Sequence, residues 1–445
     1  MVAAVSLSAI VAGIFLHGGT TRQALHQLIV FTLSTGFFLA LRVLAPPRWR
    51  RPIDIAYAAW AVLWAFTLSL RAYLIYAFKA EPRSLLIVQA IANTTPEEAW
   101  SYIQQYKFEL LFFIALMALV AKLLGVTFRS LTTLVAQPAT RGWKAAALTL
   151  AALALMAHSN RAIRRDNPPF YWARAHQDLR VWLNTQADIQ KNKSVARAKI
   201  GDWAPVYHGP DVKTVLAVFG ESHTRSNFSL YGYARQTNPQ LARHTDLCIF
   251  DKVYSASAAT VPAFIDMLGF SVAGSARLNW QVEPNLVMLA KAAGYEVTWL
   301  SNQNDRFVNS VFGSEASNFT LLNIGGSRED TSMDAQLIPE VEKALATPAP
   351  RKLIIVHLIG AHPHYDLRYT KEFEKFGDDD SVAEAMRRRS VFPWVRSARN
   401  HYDNSILYTD MLVAKMLDRL KATSGAKEFL FLSDHGQEVG HSSNH

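Results

Sequence analysis

The stretch Lys427-Glu428-Phe429-Leu430-Phe431-Leu432-Ser433-Asp434-His435-Gly436 sets a short apolar run, residues 429–432, between a charged pair and a polar exit. Such a run reads as a buried strand that releases an Asp-His pair into the loop at its carboxyl end. Two other segments repeat the arrangement. Residues 214–219 run into Gly220-Glu221-Ser222, and residues 353–358 run towards Gly360-Ala361-His362. In an open α/β sheet, ligands gather in the crevice outside the carboxyl ends of the strands. Glu221, His362, Asp434 and His435 are therefore expected at one edge of one sheet, although they lie far apart in the chain. Carboxylate and imidazole ligands suit zinc, with manganese or magnesium less favoured by the histidines. An Asp-His-Gly alone is common. Three strand ends carrying Glu, His and Asp-His favour a metal site over unrelated surface polar residues.

Around these strands the chain after Pro210 alternates between strand and helix patterns. Helices are expected at 285–293, 334–345 and 398–421, and strands at 247–254, 295–300 and 352–358. Alternation of this kind indicates a mainly parallel sheet with helices on both faces, an α/β soluble domain. Phe376-Gly377-Asp378-Asp379-Asp380-Ser381 and Arg387-Arg388-Arg389 read as a solvated insertion. Several hydroxyls could serve such a site. Ser222 and Thr224 adjoin Glu221, while Ser255, Ser257 and Thr260 follow the expected strand at 247–254. Thr260-Val261-Pro262 opens an expected helix, with Pro262 well placed for the first turn. A hydroxyl there would feel the helix dipole and could be ionised by a bound metal. The alternative is a threonine that merely caps the helix.

The 445 residues are 50% apolar and only 18% charged, and the apolar excess lies almost wholly before residue 160. Five apolar stretches occur, at 3–17, 24–45, 53–78, 107–127 and 143–159. Crossing the hydrocarbon core takes about 20 residues, which the middle three supply and the outer two barely reach. An α-helical transmembrane domain of about five spans is expected over 1–160. A polar linker over 161–210 follows, with an interfacial helix near 171–190, and then the α/β domain over 211–445. No basic segment precedes the first stretch, which argues against a cleaved signal peptide. The loops with Arg48, Arg50 and Arg51, and with Arg129 and Arg141, are expected in the cytoplasm. Parity then places loop 79–106 and everything after residue 160 on the far side. Arg161, Arg164 and Arg165 oppose this, but large domains translocate largely regardless of charge. Arg71, near the outer end of its span, is expected to snorkel rather than to serve a functional role. Thr94 and Glu98 are four apart and would share a face of one helix. A helix capped by Thr95 with Pro96 in its first turn, and a lipid head-group site, both remain open there. The net charge of +10 fits positive-inside loops or a surface meeting anionic lipid or phosphate. No basic stripe with interleaved aromatics appears, so no nucleic-acid partner is expected. Cys248 is the single cysteine, which excludes an intramolecular disulfide.

Gly220-Glu221-Ser222 with the block from Asn227-Phe228-Ser229-Leu230-Tyr231-Gly232 to Thr237-Asn238-Pro239 resembles the signature of the phosphoethanolamine transferases. These belong to the sulfatase/alkaline-phosphatase superfamily and include lipid A-modifying, colistin-resistance enzymes. Gly360-Ala361-His362-Pro363, Tyr402-Asp403-Asn404-Ser405 and Ser433-Asp434-His435-Gly436 resemble further family motifs in the family's order. The resemblance implies that Glu221, Asp434, His435 and the nucleophile hold a zinc ion. It implies that His362 and His445 meet a second zinc or the phosphate, and that Asn302 and Arg306 lie near the phosphate. Thr94 and Glu98 match head-group contacts, although the family's preceding Asn falls on Ala90. Counting forward from Phe250 puts the nucleophile on Thr260, and counting back from Pro262 puts it on Ser257. Thr260-x-Pro also resembles the Cys-x-Pro of sulfatases, which favours Thr260, with Ser257 as the alternative nucleophile.

The implied activity moves phosphoethanolamine from phosphatidylethanolamine to an envelope lipid or glycan such as lipopolysaccharide. It uses one or two zinc ions and works from the bacterial inner membrane with the catalytic domain in the periplasm. Membrane lipid, the donor lipid and an envelope acceptor are the implied partners. The family's lipid A enzymes carry several disulfides that Cys248 cannot supply, which places this chain nearer the disulfide-poor branches. Relatives continue beyond the position of His445, so a truncated sheet is expected. A phosphoglycerol transferase, a sulfatase-type hydrolase and a non-catalytic membrane sensor or scaffold are the competing readings.

Overall fold

The computed structural model describes residues 21–78, 80–94, 96–134, 140–206, 212–269, 281–323 and 333–442. The chain separates into two compact units: Met1–Val88 with Lys107–Trp182, and Gln89–Tyr106 with Leu183–His445.

The first unit is helical. Runs of Leu, Ala and Phe with few backbone-competing residues build the helices Thr21–Leu44, Pro47–Phe78, Lys107–Leu134 and Arg141–Ser159. Tyr57, Trp60 and Trp64 of the second pack against Val120, Leu124 and Phe128 of the third. The rings of Tyr57 and Phe128 stack at 3.7 Å. Phe112, Leu148, Leu155 and Met156 point outward and exposed, the surface that lipid rather than water would cover. Among the described residues, three helical segments are long and apolar enough to cross a membrane: Leu25–Leu44, Pro47–Ile75 and Leu110–Thr133. They fall on the second, third and fourth expected spans. The first, 3–17, lies outside the described residues. The fifth folds as Arg141–Ser159, but Lys144 and His158 near its ends leave it less apolar than those three.

Arg71 departs from the snorkelling expectation. It is buried, and its Nε and one terminal nitrogen donate to the two oxygens of Glu81 at 2.8 and 2.9 Å. The other terminal nitrogen lies 3.5 Å from Asp166. A guanidinium gripped in this bidentate way is fixed by its carboxylates and does not reach for the interface.

The second unit is built on a five-stranded sheet: β1 Val212–Gly220, β2 Glu296–Ser301, β3 Asn318–Leu321, β4 Lys352–His357 and β5 Ala426–Ser433. The order is β3-β2-β4-β1-β5, with every neighbouring pair parallel. Period-two alternation sends Leu216, Val218, Leu300, Ile354 and Val356 to one face. There they pack on Leu337, Val341 and Leu345 of the helix Leu337–Ala346, and on Leu412, Val413 and Met416 of the helix Pro393–Lys421. Each such side chain contributes roughly 1.5–3 kcal/mol on burial. The opposite set, Phe219, Trp299 and His357, meets Phe264 of the helix Thr260–Leu268. Both faces are covered, as a parallel sheet requires. Phe219 pairs with His357, and Gly220 with Ser433, so three strands end at the same level.

Several expectations need correction. Residues 247–254 form no strand, and Ile249, Phe250, Val253 and Tyr254 are exposed. β3 was not anticipated: four residues at a sheet edge, two of them exposed, carry little hydrophobic signal. The acidic segment at 376–381 is not merely solvated. Asp380 and the Gly377 carbonyl accept from Arg235, and Asp380 caps the helix Ser381–Arg388. Thr94 lies between the helices Leu85–Asn93 and Pro96–Gln105, with its hydroxyl on Ala90 O at 2.6 Å. It therefore does not share a helical face with Glu98. Pro96 opens the second of these helices as expected, and Thr95 lies outside the described residues.

Candidate metal and nucleophile site

Glu221 leaves β1 and Asp434-His435 leave β5, neighbouring strands in register, so parallel pairing alone brings them together. One oxygen or nitrogen from each lies within 4.8 Å of the others, and all three side chains are buried. His435 Nε2 is 3.2 Å from Glu221 Oε1 and 3.5 Å from Asp434 Oδ2. The donor set fits zinc. Asp434 Oδ1 accepts the N–H groups of Ser222 and His435 at 3.1 and 2.7 Å, while Oδ2 is buried without a hydrogen-bond partner. His435 Nδ1 lies 2.9 Å from the Gly436 carbonyl, which can only accept. The ring hydrogen is thereby held on Nδ1 and Nε2 is aimed at the carboxylates, the usual way a ligating imidazole is oriented.

The charges strain against one another without a cation. Burial first, and then the neighbouring Glu221, push Asp434 well above the usual carboxylate range. Glu221 is held well below it: burial pushes upward, but His435 outweighs that, with help from His362. Burial pulls His435 down, yet Asp434 and Glu221 raise it to about 10. A divalent cation at the shared atoms would relieve the carboxylate repulsion and displace the Nε2 proton.

The Thr260 hydroxyl donates to Glu221 Oε2 at 2.9 Å. Thr260 is the first residue of its helix, and no side chain caps that terminus. The hydroxyl is thus turned to the carboxylate cluster and not spent on a backbone N–H. Ser257 Oγ points elsewhere, to Asp266 at 3.4 Å, and Ser255 Oγ donates to the Asp434 carbonyl at 2.6 Å. Ser222 Oγ adds a 2.9 Å bond to Glu221 Oε1.

His362 sits on the loop after β4, whose Ala361 N–H donates to Glu221 O at 3.0 Å. Gly360 has φ +51°, and a Cβ there would lie 2.8 Å from Glu221 N, so glycine lets the two loops touch. Asn302 is fully buried, and its amide donates to Asp334 at 2.9 Å. Arg306 is exposed at the start of the helix Arg306–Val311. Thr94 is exposed. The Glu98 side chain and His445 lie outside the described residues.

Two site residues escaped the reading of the sequence. Gln303 reaches Glu221 Oε2 at 3.4 Å, next to the Asn302 that was singled out. Asp334 accepts the N–H groups of Ile359 and Gly360, both at 2.9 Å, and so fixes the loop that carries His362. Nothing near Asp334 in sequence announces this.

The profile of the sulfatase family matches residues 213–445. Phosphoethanolamine transferase EptC of Escherichia coli O18:K1:H7 (strain RS218 / NMEC) is 28% identical over 414 residues, covering 86% of this chain and 69% of that protein. Phosphoethanolamine transferase CptA of Salmonella typhimurium is 32% identical over 243 residues, covering 52% of this chain and 41% of that protein. The structure of the integral membrane protein lipooligosaccharide phosphoethanolamine transferase A from Neisseria meningitidis superposes with a TM-score of 0.56 at 22% identity. That superposition covers 98% of this chain and 81% of the other, a likeness of fold.

Proposed function

Because the chain belongs to the sulfatase family, and its curated relatives are phosphoethanolamine transferases, we propose that it is a membrane-bound, zinc-dependent transferase. It takes phosphoethanolamine from phosphatidylethanolamine and passes it to an envelope lipid or glycan, lipopolysaccharide being the leading acceptor. The observation that carries this reading is the 2.9 Å contact from Thr260 Oγ1 to Glu221 Oε2, beside Asp434 and His435. Residues 1–160 anchor the chain in the inner membrane, 161–210 link, and 211–445 act in the periplasm.

Glu221, Asp434, His435 and Thr260 would hold the zinc ion. When bound, zinc lowers the pKa of a ligating hydroxyl and polarises a phosphoryl oxygen. Glu221 keeps the Thr260 hydroxyl oriented. Attack of Thr260 Oγ forms a Thr–O–P bond and breaks the bond to the diacylglycerol oxygen, which leaves as the alcohol with a proton. The acceptor hydroxyl then attacks phosphorus, and Thr260 leaves and recovers its proton. His362, on the facing loop, would meet the phosphoryl oxygens or a second zinc together with His445, and Arg306 would approach from the loop after β2. Thr94 and Glu98 would contact the ethanolamine head group.

The test uses the full chain in vesicles of labelled phosphatidylethanolamine with lipopolysaccharide present. Zinc-dependent release of diacylglycerol and transfer of label to the acceptor are expected. Release from phosphatidylglycerol alone would instead identify a phosphoglycerol transferase, and no release from either would defeat the reading.

A further inference from the structure

The helix Pro393–Lys421 sends one side chain to the ligand loop at two points. Tyr402 is fully buried; its hydroxyl donates to Ser222 O at 2.6 Å and accepts the Thr224 N–H at 2.8 Å. Ser222, whose carbonyl takes the first of those contacts, adopts φ +61°, a left-handed conformation that is unfavourable for any residue with a Cβ. The backbone at Ser222 decides how Glu221 faces Asp434. Ser222 N–H donates to Asp434 Oδ1 at 3.1 Å, and Ser222 Oγ donates to Glu221 Oε1 at 2.9 Å. About two turns along the same helix, Thr409 Oγ1 lies 3.3 Å from His223 Nε2, a second hold on the loop. The Tyr402 ring is itself clamped. It meets Tyr365 edge-on at 5.2 Å and shares a buried cluster with Phe228 and Ile406.

We infer that Tyr402 is a positioning residue for the metal centre: its hydroxyl staples the strained turn at Ser222 and so fixes the Glu221 carboxylate opposite Asp434 and His435. The inference rests on the reading of those three residues as metal ligands. A side chain that only filled the core would need the ring and not the hydroxyl, whereas both hydroxyl bonds here end on backbone atoms, the strained residue's own carbonyl and the N–H two residues on.

The experiment measures zinc affinity of the full chain in detergent, by competition with a chromophoric chelator, together with the thermal midpoint. Tyr402→Phe keeps the ring and loses both bonds. Its zinc dissociation constant is expected to rise about 10- to 100-fold, the usual effect of removing a group that supports a ligand. Ile406→Val, in the same cluster, should lower the thermal midpoint without weakening zinc. In a Ser222→Gly background the positive φ carries no penalty, so Tyr402→Phe should weaken zinc less than it does beside serine. Unchanged zinc affinity in Tyr402→Phe, or an equal loss in Ile406→Val, overturns the positioning role while leaving the metal centre in place. Equal zinc uptake by the native chain and Glu221→Ala overturns the metal reading and this inference with it.

Discussion

Asp434 divides its carboxylate: one oxygen serves backbone N–H groups and the other stays buried without a hydrogen-bond partner beside Glu221 and His435. A buried carboxylate oxygen that receives no hydrogen bond is costly unless a cation uses it. Asp434→Ala and Glu221→Ala are therefore expected to abolish zinc binding, whereas His362→Ala retains the first ion; metal analysis of the three purified variants checks this. His357 presents a different residue-scale conflict. It is fully buried at the end of β4, its ring lies 4.6 Å from Phe264, and neither ring nitrogen has a hydrogen-bond partner. Burial pushes it down from 6.5 to about 4. The unfolded chain thus takes up a proton that the folded chain refuses as pH falls through 6.5 towards 4, and stability falls with it. Between pH 7 and pH 5 this one group removes about 2 kcal/mol. His357→Phe should flatten that part of the stability-against-pH curve, read by thermal unfolding at the two pH values. An unchanged slope would assign the acid sensitivity elsewhere.

Among the elements, the strands were largely legible because β1, β2, β4 and β5 are runs rich in apolar residues ended by polar ones, and the candidate metal ligands follow from where β1 and β5 stop. The choice between Thr260 and Ser257 was not legible. Residues 247–259 are irregular, so neither helical nor strand periodicity sets the register that reaches Thr260. The acidic segment at 376–381 was misread for a related reason. Its partner, Arg235, is 145 residues from Asp380, and local sequence holds no trace of the pairing. Arg235 is almost wholly buried and donates to Asp380 at 2.6 Å, Asp403 at 2.7 Å and Asn400 at 2.8 Å. It ties the signature loop after β1 to the helix Pro393–Lys421. Removing it leaves Asp403 buried without its cation, at a cost of about 3–5 kcal/mol. Arg235→Ala should show that loss as a lowered thermal midpoint, while Arg388→Ala, on the exposed face of the helix Ser381–Arg388, should show almost none.

At the scale of the whole molecule, the described residues hold three helical segments long and apolar enough to cross a membrane, and the α/β unit belongs to the sulfatase family, which fits the proposed membrane-anchored enzyme. The expected loop with Arg48, Arg50 and Arg51 is instead the first turns of the helix Pro47–Phe78, and by the positive-inside rule that end is proposed to face the cytoplasm. Reporter fusions at residue 48 and after residue 210 should report opposite sides of the membrane, and finding both on one side would contradict the proposed topology. In the proposed reaction phosphoethanolamine passes through a covalent bond to Thr260. Peptide mass spectrometry of the full chain after incubation with phosphatidylethanolamine tests it most directly. The expected result is a phosphoethanolamine adduct on the peptide carrying Thr260, lost in Thr260→Ala and kept in Ser257→Ala. An adduct on Ser257 or Ser222 that survives Thr260→Ala would contradict it.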